Sequence, residues 1–404
     1  MPIDDRLDCV KLDIKAELLR ELALEVGTPT PDIGVRAGRD HLHPLYRGKP
    51  VVSFASWDLL GVYGHPEVST TLVKSVKTYG VASLGSRFSG GTTDAHVHSE
   101  GRIAKFFVAE STLFFASRNQ CVLTVITTLC SEGVIVIGSA LSSLPLADAC
   151  ALVGAEFVEV DGDEQLRAAL QRTSFSKRVI VVLEGLSPLT GESLQLPHIL
   201  PAIEQAGAWL VLDESAALGL SGIRGAGTAE QTPTSPALIG RIVGFNYAAG
   251  VDLCALVSGQ ELRDLINLRS KYVRYEGAPA PSLVRAAESA LNILEVALVQ
   301  REKLGIRALS LSRAIKSQGW RMLTRLDSPV LSLWCESLLS ARTIQEALLQ
   351  RGILVEALPA RSTRRNGAVV RVLVSNGHTQ EEVELLLSSL DEVKKRLEKA
   401  SSAR

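Results

Sequence analysis

Between Val108 and Ser258 the chain repeats one pattern, a short unbroken run of aliphatic and β-branched residues followed by a stretch of helical character. Residues 133–138 read GVIVIG, 178–184 read RVIVVLE, 209–214 read WLVLDE and 242–245 read IVGF. Strands that are apolar at every position are covered on both faces. Helices between such strands make βαβ crossovers and a mostly parallel sheet. At 404 residues the chain is long enough for two or three lobes. Its composition, 46% hydrophobic and 22% charged, is that of an ordinary folded protein.

The flanks are organised differently. Residues 1–50 form an N-terminal helix and arm: Leu12, Ala16, Leu19, Leu22 and Leu24 give an amphipathic pattern, and a Pro/Gly stretch follows at 27–31. That helix has three places to pack: on the body, on a partner or on a membrane surface. Residues 51–55 read as a short strand that starts a large domain spanning 51–290. Residues 282–301 and 302–317 read as two long helices, and 291–399 form a smaller lobe with strands at 329–334 and 369–374. A terminal helix is predicted over 379–399, where Thr379 and Glu382 have capping-box spacing, and 400–404 are expected to fray.

A formal net charge of −1 gives no basis for binding nucleic acid. Cys9, Cys121, Cys130, Cys150, Cys254 and Cys335 stand singly, as reduced, buried thiols do. The first 26 residues match neither a signal peptide nor a membrane span, and no apolar run reaches 18 residues. The expected location is the cytoplasm, or the cytosolic face of the endoplasmic reticulum through a partner in a eukaryote. His96 and His98 have no accompanying carboxylate or cysteine cluster, so no metal site is expected. No Ser/His/Asp set and no GxxxxGK[ST] loop occurs.

Several short stretches occur in a fixed order. Phe54-Ala55-Ser56-Trp57-Asp58-Leu59-Leu60-Gly61 precedes His65-Pro66-Glu67-Val68. Lys77 to Val81, Gly85-Ser86-Arg87, Gly90-Gly91-Thr92 and His96 to Glu100 follow. Leu212-Asp213-Glu214-Ser215-Ala216-Ala217-Leu218-Gly219 with Gly225, then Val370-Arg371-Val372 and Gly377-His378-Thr379, complete the set. Over roughly residues 45–395 this order and spacing resemble the α-oxoamine synthases, which use pyridoxal phosphate (PLP) to condense an amino acid with an acyl-CoA. The implied fold is α/β, a fold type I PLP-transferase with a mainly parallel large-domain sheet and a smaller C-terminal α/β lobe. Glu184-Gly185-Leu186, Thr190-Gly191 and Leu196-Pro197 resemble the non-catalytic long-chain-base subunit of serine palmitoyltransferase.

Gly244-Phe245-Asn246-Tyr247-Ala248-Ala249-Gly250 resembles the loop that carries the family's Schiff-base lysine, and Tyr247 stands at the lysine position. A phenol forms no imine. By the same resemblance Asp213 is the partner of the pyridinium nitrogen, with capping of the following turn as its structural alternative. Ala216 replaces a histidine that touches the cofactor's phenolic oxygen, Ser143 a histidine stacked on the ring, and Gly244 a phosphate-binding hydroxyl. Arg118 and Asn119 replace the glycine–aromatic pair of the phosphate-cradling turn, and the Arg118 side chain could attract an anion. Arg371 matches the arginine that binds the amino acid's carboxylate; its alternative is a bridge to an acid at the domain interface. Lys271 is the nearest other lysine, but it leads into a segment that reaches across the family's dimer. Glu276, in that segment, stands where the family contacts the neighbouring subunit's phosphate, or else is a solvated loop residue.

The resemblance implies that the site lies at a dimer interface. The expected function is a lysine-lacking subunit of a serine palmitoyltransferase-like heterodimer, paired with a lysine-bearing homologue that handles serine and palmitoyl-CoA. Covalent PLP on this chain is not expected. Two alternatives stand beside it: a self-sufficient α-oxoamine synthase, and a regulatory pseudoenzyme homodimer.

Overall fold

The computed structural model describes residues 36–37, 40–139, 145–173, 178–232, 234–324, 327–360 and 367–402. The predicted helix over the first 26 residues, the Pro/Gly stretch, Cys9 and Ser143 lie outside the described residues.

The apolar runs assemble one seven-stranded sheet. Its order is Ser111–Phe115, Cys254–Ser258, Leu238–Gly244, Trp209–Asp213, Val179–Glu184, Ile135–Ser139 and Glu156–Val160. Six of these point the same way, and Cys254–Ser258 runs antiparallel to both its neighbours. The continuous hydrophobicity has the expected cause. Val179, Val181 and Leu183 pack into one core cluster, and Ile180 and Val182 into another on the opposite face. Each fully buried side chain of this size contributes about 1.5–3 kcal/mol relative to exposure.

Three strands of this sheet went unread in the sequence, Ser111–Phe115 among them. Glu156–Val160 is an edge strand whose glutamates interrupt the apolar pattern, and charge on an edge discourages further pairing. Cys254–Ser258 is a short apolar run that follows the loop 245–253. The two long helices are Pro281–Glu295 and Leu298–Ser317, so the break falls before residue 301. The buried Arg301 explains it. Its Nη1 donates to the Leu294 carbonyl at 2.7 Å, satisfying a helix-end acceptor that another turn would have used.

The C-terminal lobe is an antiparallel sheet ordered Val330–Cys335, Ala368–Leu373, Glu356–Pro359. Gln380–Ser402 is the terminal helix, and both halves of its capping box are present: Thr379 N–H donates to Glu382 Oε2 and Glu382 N–H to Thr379 Oγ1. The strand expected over 51–55 is Val52–Ser53, and it pairs with Ile353–Leu354 rather than with the large sheet. His378 fastens this junction. It is buried and stacks on Phe54, ring centroids 4.1 Å apart. Its Nδ1 accepts from Ser375 N–H at 3.1 Å and its Nε2 donates to Ser53 O at 3.1 Å, a pattern only the neutral ring satisfies.

Burial holds the His378 pKa down from 6.5 to about 4, against the opposing pull of the Ser53 carbonyl. A group depressed in the folded state contributes stability above its unfolded pKa and loses it as pH falls. Denaturant titrations should therefore show a contribution on the order of 3 kcal/mol disappearing between pH 6.5 and about 4. His378→Gln should flatten that part of the profile; an unchanged slope would contradict the assignment.

Candidate functional site

Sheet register builds the site. Glu184 ends its strand opposite Asp213, Asp213 pairs with Ile242, Gly244 with Cys254, and Cys254 with Phe115. The carboxyl ends of four strands thus meet along one rim, the usual place for function in an open α/β sheet. Three residues past Phe115, Arg118 opens the helix Arg118–Leu129, whose N-cap Ser117 accepts from Gln120 N–H. Three residues past Gly244 stands Tyr247.

The Arg118 guanidinium folds over this rim. Nε donates to Asp213 Oδ2 at 2.5 Å, Nη2 to Glu184 Oε1 at 2.8 Å and Nη1 to Tyr247 Oη at 3.4 Å. Side-chain exposure is 11% for Arg118, 5% for Glu184 and 1% for Asp213. Asp213 Oδ1 accepts from Ser215 N–H at 2.8 Å, so the turn-capping reading of Asp213 is also realised. Burial opposes charge on Arg118, but Asp213, Tyr247 and Glu184 outweigh it and lift the pKa well above its ordinary value. Burial raises the Tyr247 pKa, so the phenol is neutral at pH 7.

The cluster continues outward. Tyr247 packs on Trp57, with ring centroids 4.3 Å apart, and the Arg371 guanidinium lies 5.0 Å from the Trp57 ring centroid. Arg371 is itself engaged: Nε and Nη2 donate to Glu356 Oε2 at 3.0 and 2.5 Å, and Nη1 to Pro188 O at 2.5 Å. Glu356 faces Arg371 directly across the antiparallel pair, a cross-strand ion pair. The bridging reading of Arg371 is thus the one realised, with an acid of its own sheet instead of one at the domain interface.

The remaining expected residues are dispersed. Ala216 is core, Asn119 is exposed, and Lys271 begins the short helix Lys271–Tyr275 with its side chain exposed. Gly244 N–H donates to Ser215 Oγ at 2.7 Å. Glu276 is exposed, next to the Ser86–Gly277 bridge. Two members of the site, Glu184 and Glu356, were not assigned from sequence. Glu184 ends its strand as Asp213 does, and that shared position was the signal for it. The five described cysteines are buried free thiols, with burial pushing Cys130 up to about 12 and Cys150 and Cys335 to about 11. Among the described residues no group of His, Cys, Asp and Glu could hold a metal, and no helix is long and apolar enough to cross a membrane.

These residues do not fit PLP in the way the resemblance implies. Residue 247 has no amine, and Asp213 Oδ2 already binds a fixed cation. A side chain at Gly244 would place its Cβ 2.9 Å from Ser215 Oγ and 2.8 Å from Asn246 Oδ1, so a phosphate-binding hydroxyl there would have to displace both. A cavity of about 400 Å3 adjoins the cluster, with Glu184 in its wall. Asp161, Asp163 and Glu192 also line it.

Comparison with known proteins gives the scaffold its kin. No family model matches the chain. The 8-amino-7-oxononanoate synthase of Cellvibrio japonicus is 28% identical over 350 residues, 86% of this chain and 87% of that protein. That of Nitrosospira multiformis is 29% identical over 356 residues, 87% of this chain and 89% of that one. The structure of Sphingomonas wittichii serine palmitoyltransferase matches with a TM-score of 0.85 at 22% identity, covering 98% of this chain and 99% of that one. An 8-amino-7-oxononanoate synthase from Francisella tularensis matches with a TM-score of 0.74 at 18% identity, covering 86% and 98%. The chain has the fold of the type I PLP transferases, and its homologues are PLP-dependent α-oxoamine synthases.

Removing one partner of a buried ion pair leaves an uncompensated charge and costs about 3–5 kcal/mol. Arg118→Ala should lose that much at neutral pH in a urea titration and recover part of it toward pH 5, as the stranded carboxylates take up protons. A loss below about 1 kcal/mol, the range of an exposed pair, with no pH dependence would mean that the cluster is solvated.

Proposed function

We propose that this chain is the lysine-lacking subunit of a serine palmitoyltransferase-like complex, supporting a lysine-bearing homologue that condenses serine with palmitoyl-CoA. The observation that carries the reading is the cluster at the family's cofactor position, where Arg118 holds Asp213 and Tyr247 stands for the lysine. A chain built this way forms no imine of its own, while the rest of the α-oxoamine synthase scaffold is kept.

A surface supports the partnership. Leu84 is 98% exposed and Tyr275 76%, and Val81 and Phe88 are exposed beside them. Leu84 also sits at φ 58, a left-handed conformation that costs a non-glycine residue about 1–2 kcal/mol. The segments are braced: Ser86 bridges to Gly277, Ala278 N–H donates to Gly85 O, and Ser83 Oγ and His96 Nε2 both donate to Pro279 O. Apolar side chains held in water on a rigid, strained loop are the mark of an interface. By resemblance, the segment around Glu276 is the one that reaches the neighbouring subunit.

Co-expression with a lysine-bearing α-oxoamine synthase should give a one-to-one complex that condenses serine with palmitoyl-CoA, with the chain alone inactive. Leu84→Asp with Tyr275→Asp should weaken the complex at least about tenfold, a loss of 1.4 kcal/mol, and leave the chain's own unfolding midpoint unchanged. Turnover by the purified chain alone would favour the self-sufficient synthase. A stable homodimer that ignores every catalytic homologue would favour the regulatory pseudoenzyme.

A further inference from the structure

We infer that Arg118 takes the cofactor's place at Asp213, so that the pocket is shut by an internal cation and would stay shut if a lysine were returned to position 247. This deepens the non-catalytic half of the proposed function and rests on reading 247 as the former lysine position. It does not depend on the partner.

Three observations lead to it. Asp213 and Glu184 are almost fully buried and share one guanidinium, at 2.5 and 2.8 Å, so the cation they require is supplied from within. Tyr247 fills the space between Arg118 and the Trp57 ring, with the guanidinium carbon 5.8 Å from its centroid. Gly244 is packed against Ser215 and Asn246, so no hydroxyl can be added there without displacing them. A lysine introduced at 247 would put an ammonium beside the Arg118 guanidinium, which now reaches Tyr247 Oη. Like charges that close compete for the same two acids. The guanidinium would disfavour that ammonium, so the obstacle is not the amine's charge but Arg118 Nε seated on the Asp213 oxygen that a ring nitrogen needs.

The converse also follows. With the guanidinium gone, the buried Asp213 Oδ2 loses its ion-pair partner. A protonated ring nitrogen is a planar cation of the kind Asp213 would then accept. Arg118 therefore acts as a positioning residue that occupies the site and excludes the cofactor.

The test uses the full chain in four forms: natural, Tyr247→Lys, Arg118→Ala, and the double variant. Arg118→Gln is run beside Arg118→Ala because it keeps length and hydrogen bonding while removing charge. PLP is the probe, with affinity from equilibrium dialysis and covalent capture from borohydride reduction and peptide mapping. The inference predicts that Tyr247→Lys binds PLP no better than the natural chain and yields no reduced adduct. It predicts that neutral substitution at Arg118 tightens noncovalent PLP binding at least about tenfold. The double variant should give an adduct at position 247. Stoichiometric capture by Tyr247→Lys alone would overturn the inference. So would double variants that unfold cooperatively yet bind PLP no tighter than the natural chain. Complex formation with a homologue is scored on the same preparations. Failure to pair would count against the partnership and leave this inference standing, and capture by Tyr247→Lys in a chain that still pairs would do the reverse.

Discussion

The guanidinium of Arg118, held between Asp213 and Glu184 under a lid of Tyr247, is the constraint on which the rest of the site depends. It is held as a cation by its neighbours, while burial, against the pull of Arg118, keeps the Tyr247 phenol neutral. It also fixes how the strand ends meet, because two separate strands and one helix start contribute to a single ion cluster. Buried ion pairs are poor sources of net stability but severe penalties when broken. Such a cluster specifies one arrangement of the rim and resists any ligand that must first dismantle it.

The fold prepares that arrangement. A parallel sheet collects carboxyl ends along one edge, and the antiparallel Cys254–Ser258 brings the Ser111–Phe115 strand, and with it Arg118, to the same edge. From there contact passes through Tyr247 and Trp57 to Arg371, whose guanidinium is held by Glu356 and the Pro188 carbonyl. Both arginines that could have met an anionic cofactor or substrate are thus satisfied by the protein. The neighbouring cavity is walled with acids. A scaffold shared with α-oxoamine synthases is kept, while the charges at its rim are internally balanced.

Much of this was legible in the sequence, for physical reasons. Strands buried on both faces must be apolar throughout, so the runs at 133–138, 178–184 and 209–214 announced the sheet. Tyr247 and Asp213 were legible from the motif around each. Arg118 was legible as a departure but not as a partner of Asp213. That pairing depends on the antiparallel strand beside Ser111–Phe115, whose place in the sheet no local signal gives. Glu356 was missed because its strand is a short edge ending in Pro359, where propensity is weak. The helix break ahead of Arg301 was missed for a related reason, since a long-range hydrogen bond to Leu294 sets it and the local pattern does not.

The most direct measurement is a crystal structure of the natural chain grown with saturating PLP. The Arg118 guanidinium should lie within hydrogen-bonding distance of Asp213 and Glu184, with Tyr247 on Trp57 and no cofactor at the rim. A ring nitrogen seated on Asp213, with Arg118 turned away, would contradict it.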